Sequence, residues 1–328
     1  MLVLFSTAFI IACGANKSVI KNNVSGGDAE AKFISEECCV KSEEVYKNFA
    51  EAANRIEKLF EQNNADAQYK LGIRYYTGDR VEKNHSEAVK WFRKAAEQGH
   101  AEAQYNLGVC YYKGEGVGKS LAESAKWYKR AAEQGHAKAQ SVLGGYYYNG
   151  KGVEKDIVEA IKWFRKGAEQ GYAGAQYNLG VFYYRGDVVE KNLAETVKWF
   201  RKAAEQGDSE AQYNLGLFYD KGERVEKNHS EAIKWYKKAA EQGHAEAQYN
   251  LGVSYYKGDG IEKNLSEAAK WFRKAAEQGY AEAQHNLGVC YYKGEGGREK
   301  FSRVCKVGEE GGGAGACESA IRFRRILL

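Results

Sequence analysis

The residues of this chain best suited to chemistry are seven cysteines, six histidines and one S-x-x-K tetrad. Cys110 and Cys290 occupy the same place in an internal repeat, five units apart, so an extended array keeps them away from each other. Cys38 and Cys39 are adjacent, Cys13 follows an apolar run, and Cys305 and Cys317 lie in a tail of foreign composition. No pair has metal-ligand or disulfide spacing, so they read as small thiols. His85, His100, His136, His229, His244 and His285 fall at helix junctions or in connecting loops, where capping explains them without a metal. Ser254-Tyr-Tyr-Lys257 has the spacing that lets a lysine serve a nucleophilic serine. No S-D-N or K-T-G partner accompanies it, and its equivalents in other copies are Cys110, Tyr146, Phe182 and Phe218. Gly114-x-Gly116 follows no strand and reads as a turn, not a phosphate cradle. No catalytic set, metal or cofactor is therefore expected.

The elements that carry these residues are set by a repeat. Gly72, Gly108, Gly144, Gly180, Gly216, Gly252 and Gly288 are spaced by 36 residues, as are Trp91, Trp127, Trp163, Trp199, Trp235 and Trp271. Six complete copies fill 65–280 and the first half of a seventh occupies 281–296. Within one copy Ala103, Leu107 and Tyr111 recur every fourth residue and form one apolar helical stripe. A second stripe carries Ala125, Trp127, Tyr128 and Ala131 and stops at Gly135. One such hairpin cannot cover its own apolar face, so neighbours must stack and share stability. The 328 residues contain no proline, and the net charge of 49 − 44 = +5 is balanced and free of basic runs. A β-rich chain and a nucleic-acid groove are both disfavoured.

The segments A-x-x-x-LG-x-x-Y, the G-x-G turn and A-x-x-W-[FY]-x-x-AAEQG, present throughout 65–296, resemble the Sel1-like repeat family, a relative of tetratricopeptide repeats. The resemblance implies an all-α, right-handed αα-superhelix of 36-residue helix-turn-helix units acting in protein–protein interaction. Cysteine-rich members of that family carry a β-lactamase label, which makes a hydrolase of that type the alternative. The paired cysteines of those members are missing here. Departures from the pattern include Gly145 beside Gly144, Val188 for a turn glycine and Asp220 for a tyrosine.

At the start, the apolar run Leu2–Ala12 followed by Cys13 is too short for a membrane span and suits an exported segment. Ile10-Ile11-Ala12-Cys13 resembles a bacterial lipobox, with Cys13 as the lipidated residue. Residues 1–13 are thus a signal segment and 14–28 a tether, giving an exported lipoprotein whose sole membrane link is Cys13; a cytoplasmic location is the alternative. Residues 29–64 form a degenerate N-terminal cap, since Glu51, Ala52, Lys58, Glu61 and Gln62 match the next copy at the repeat offset. After Gly296 the repeat vanishes. Back-translated and read one base ahead, 297–328 permits VEKNLAESAKW and AAEQGHAKAQY in register, so a frameshift near Gly297 and a disordered tail are expected.

A binding face is sought in three columns at i, i+4 and i+7 of the first helix. The first holds Asn106, Asn178, Asn214 and Asn250; the second, the most variable, holds Tyr146, Phe182 and Phe218; the third holds Arg185, Lys221 and Lys257. Amide donors, aromatic patches and cations in rows suit an extended protein or peptide segment bearing carboxylates. Asparagine and lysine equally suit a solvated framework face. Three sequons, at Asn84, Asn228 and Asn264, arise from the repeat consensus and are assigned no glycan.

Overall fold

The computed structural model describes residues 64–293 except 80 and 187, with the side chains of 291–293 also outside the description. The signal segment, tether, most of the cap, Cys13 and the tail lie outside the described residues. Those described form thirteen helices and no strand. In chain order they are α1 (Ala65–Thr77), α2 (His85–Glu97), α3 (Ala101–Lys113), α4 (Leu121–Glu133), α5 (Ala137–Asn149), α6 (Ile157–Glu169) and α7 (Ala173–Arg185). There follow α8 (Leu193–Glu205), α9 (Ser209–Lys221), α10 (His229–Glu241), α11 (Ala245–Lys257), α12 (Leu265–Glu277) and α13 (Ala281–Lys293). Odd-numbered helices are the first of each hairpin, even-numbered the second. From α2 to α13 consecutive helices pack on one another, as an αα-solenoid requires.

Local chemistry fixes these boundaries. Every described second helix starts on a polar N-cap: Asn84, Ser120, Asp156, Asn192, Asn228 or Asn264. Each accepts the backbone N–H of a glutamate three residues on, satisfying one orphan donor of the first turn. The sequon asparagines therefore serve as helix caps. First helices α3, α5 and α11 start on His100, His136 and His244, whose Nδ1 accepts from Ala103, Ala139 and Ala247 at 3.1, 3.0 and 3.3 Å. These histidines thus serve as helix caps. The same three rings stack on Tyr69, Tyr105 and Tyr213 with centroids 4.7, 4.9 and 4.6 Å apart.

Two glycine positions explain the tightness of the stack. A Cβ on Gly108 would lie 2.8 Å from the Tyr128 ring, and one on Gly180 2.7 Å from Phe200. The invariant glycine thus lets the second helix lay an aromatic ring on the backbone of the first. Gly116 adopts φ 72°, and its Cβ would sit 2.1 Å from the His85 carbonyl oxygen. The turn of one hairpin therefore rests against the start of the preceding second helix. Leu107, Leu143, Leu179, Leu215 and Leu251 complete the fully buried line.

A polar seam runs through this core. The buried glutamine of each first helix donates Nε2 to a carbonyl at the end of the preceding hairpin: Gln104 to Ala96, Gln140 to Ala132, Gln176 to Ala168, Gln212 to Ala204 and Gln248 to Ala240. Its Oε1 accepts from the glutamine that ends its own hairpin, at 2.6 Å for both Gln134 to Gln104 and Gln170 to Gln140. Each buried amide is thereby satisfied on both atoms while joining two hairpins.

Candidate binding face

The aromatic members of the variable column do not face solvent, although Arg74 of the same column does. Tyr146, Phe182 and Phe218 are each 5% exposed, so the aromatic patches expected there are instead part of the core. The physical reason is the breadth of the apolar stripe: the preceding second helix reaches over this position. Phe182 packs between Phe164 and Tyr148, with centroids 5.8 and 5.5 Å away. Phe218 lies 6.2 Å from Phe200 and 6.1 Å from Tyr184. Tyr146 meets Tyr128 edge-on at 5.4 Å, and its hydroxyl bonds Ser124 Oγ at 2.8 Å. Ser124 stands where Ala88, Ala160, Thr196, Ala232 and Ala268 stand elsewhere. The Tyr146 hydroxyl is thus matched by its packing partner Ser124.

The asparagine column is largely framework. Asn106 donates to the Tyr69 hydroxyl and Asn286 to that of Tyr249, both at 3.3 Å, tying each first helix to the one a repeat earlier. Asn214 donates to the Glu210 carbonyl at 2.9 Å, and Asn250 engages the Tyr213 hydroxyl. In the cation column Lys113 reaches Tyr76 at 3.3 Å and Glu115 at 3.6 Å, Arg185 reaches Tyr148 at 2.7 Å, and Lys221 lies 3.9 Å from Glu223. Lys257 is exposed.

Of the ten expected residues, Asn178, Phe182 and Arg185 come together in one cleft of about 340 Å³ between α5 and α7. Tyr177 and Val181 of α7, and Ser141, Gly145, Tyr148 and Asn149 of α5, form its walls, with Phe164 at the floor. The remaining seven, Asn106, Tyr146, Asn214, Phe218, Lys221, Asn250 and Lys257, lie outside it. Ser141 and Gly145 were not singled out as binding residues by the column reasoning, which asked where the repeat presents variety and not where it loses bulk. A second cleft, about 470 Å³, borders α2 near Trp91, Lys94, Gly116 and Val117, with the Lys94 ammonium 4.1 Å from the indole centroid. That cation–indole pairing recurs at Trp127, Trp163, Trp199, Trp235 and Trp271, so it belongs to the repeat.

The candidate nucleophiles are engaged otherwise. Ser254 gives its hydroxyl to the Asn250 carbonyl one turn back, at 3.0 Å. Cys110 is buried, and burial pushes its thiol up to about 11, which keeps it protonated and inert. His229 Nδ1 lies 2.8 Å from Asp220, where the first repeat instead sets the Tyr76 ring edge-on to His85. Among the described residues no group of three His, Cys, Asp or Glu converges as metal ligands. No described helix is long and apolar enough to cross a membrane.

Stacked hairpins with a cleft between successive first helices define a helical repeat solenoid. The chain belongs to the Sel1 repeat family, whose pattern matches 65–100, 101–136, 137–172, 173–208, 209–244, 245–280 and 281–301. Proteins of this family are generally interaction scaffolds. Among solved structures, the chain is similar to a protective antigen of uropathogenic Escherichia coli strains displaying an SLR fold, with 38% identity and TM-score 0.69. That match covers 81% of this chain but 58% of the antigen, so the chain spans under two thirds of that relative's length. A Sel1 repeat protein from Oxalobacter formigenes is 36% identical with TM-score 0.62, covering 73% of this chain and 95% of that one. No curated protein matches the sequence.

Proposed function

We propose that this chain is a non-catalytic scaffold that holds an extended, acidic protein segment along the row of first helices. The observation that carries the reading is the cleft between α5 and α7, where Asn178, Asn149 and the Arg185 guanidinium stand over an aromatic floor. Amide groups can pair with a peptide main chain, and the guanidinium with a carboxylate. Lys221 and Lys257 extend the positive row into later repeats. A family built on interaction scaffolds supports the same reading. Affinity capture with the folded chain, read by mass spectrometry, tests it through charge reversal. Partners held by the parent should be lost by the combined Arg185→Glu, Lys221→Glu and Lys257→Glu variant; partners retained undiminished would refute binding on this face. The lipobox-like segment supports export and an anchor at Cys13, and fatty-acid labelling that persists in Cys13→Ser would refute that anchor.

A further inference from the structure

We infer that the cleft at the junction of the third and fourth repeats is an anchor pocket that fixes the register of the bound segment. It takes one large apolar side chain flanked by Asp or Glu. The inference rests on the scaffold reading and adds to it where along the array, and by which residue type, the partner is held.

The pocket exists because this junction has lost bulk. Ser141 stands where six other copies carry Tyr69, Tyr105, Tyr177, Tyr213, Tyr249 and His285. Gly145 stands where six others carry Ile73, Val109, Val181, Leu217, Val253 and Val289. Packing does not demand that glycine: a Cβ on Gly145 would meet nothing within 4 Å, and its φ is not positive. A glycine inside a helix weakens it, so this one lowers stability while leaving space. Asn106 and Asn286 donate to the tyrosine of the preceding copy, which Asn178, facing Ser141, does not have; its amide donates to the Gly174 carbonyl at 2.7 Å, as Asn214 does to that of Glu210.

What remains is chemically specific. Phe164 and Phe182 form a tilted pair at the floor, and Tyr148 stands edge-on to Phe182, held by Arg185 at 2.7 Å. About 340 Å³ holds an aromatic or leucine side chain with its adjoining main chain. Charge complementarity selects the flanks. The column that carries Asp66, Glu102, Glu210, Glu246 and Glu282 carries Lys138 and Gly174 at this junction, and no acid lines the cleft. Arg185 is then the one charged group of the lining, which favours an anionic neighbour.

The test restores the repeat. Random linear dodecapeptides displayed on phage are selected against the full chain and against Ser141→Tyr and Gly145→Val. Both substitutions reinstate side chains that neighbouring repeats accommodate, and circular dichroism and Tm check that each variant folds. We expect enriched peptides to share Phe, Tyr, Trp or Leu within a few residues of Asp or Glu. A synthetic copy should lose more than about tenfold in affinity on either substitution, and as much when its anchor becomes Ala. Peptides that bind parent and variants alike would overturn the pocket while leaving the scaffold reading standing. Absence of any enrichment, together with capture unaffected by charge reversal, would remove both. Equal binding of free 3-phenylpropionate, without a peptide main chain, would also overturn the anchor assignment.

Discussion

Replacing Gln140 with Leu should weaken the array at one seam. The side chain is 4% exposed, donates to the Ala132 carbonyl at 3.0 Å and accepts from Gln170 at 2.6 Å. Each net hydrogen bond contributes about 1 kcal/mol, and a buried group stripped of its partner costs about 1–3 kcal/mol. Two features moderate the loss here. The Ala132 carbonyl keeps the Gly135 N–H at 3.0 Å, and the exposed Gln170 amide can turn to water. The expected cost is therefore about 1–2 kcal/mol, against about 0.5–1 kcal/mol for Gln170→Leu. Urea unfolding followed by far-UV circular dichroism measures both. Because stability in a repeat array is a sum of unit and interface terms, the Gln140 variant should also unfold with a shallower, less cooperative transition. A Leu variant as stable as the parent would refute the idea that the seam stabilises the stack. Equal losses at Gln140 and Gln170 would refute the weight given to burial.

Gly180→Ala should cost about 1–3 kcal/mol in the same assay despite alanine's better helix propensity, because the new methyl would sit 2.7 Å from the Phe200 ring; an unchanged midpoint would show that the ring yields freely. Stability should fall in alkali. Burial raises the pKa of Tyr128, Tyr236 and the Cys110 thiol, whose protonated forms are neutral, so the folded state holds these protons more tightly than the unfolded chain. Their contribution is full below the unfolded values of about 9 to 10 and is lost as pH rises past them. A urea midpoint flat across that range would refute the burial argument, as would ready alkylation of Cys110 in the folded chain at neutral pH. Nitrocefin should not be turned over, since Ser254 is bonded to its own helix; measurable turnover abolished by Ser254→Ala would overturn the non-catalytic reading.

Hairpin boundaries were legible because each rests on local chemistry. Gly114, Gly135 and the stripe of Ala103, Leu107 and Tyr111 can all be read from residue spacing alone, whereas Asn84 reads there only as a sequon and its capping role comes from the structure. The binding face was less legible, for a reason visible at Phe182. A column can vary because a partner molecule selects it or because the neighbouring side chain in the core does, and sequence shows only the variation. Tyr146 with Ser124 is the second kind. Asn178 and Arg185 both line the cleft, yet that cleft depends on two absences, at Ser141 and Gly145. A search for conspicuous side chains passes over positions where a side chain has been taken away. Aligning the copies and asking where volume drops would have found them.

The glutamine seam has a consequence for how such chains change length. Its bonds close at sequence separations of 8 and 30 residues, so each begins and ends within one hairpin or between immediate neighbours. Excising or duplicating a whole unit in register therefore brings equivalent groups face to face and leaves no polar atom stranded. Growth and shrinkage by recombination become nearly neutral for the interior, and the number of copies is free to follow the reach that a ligand demands.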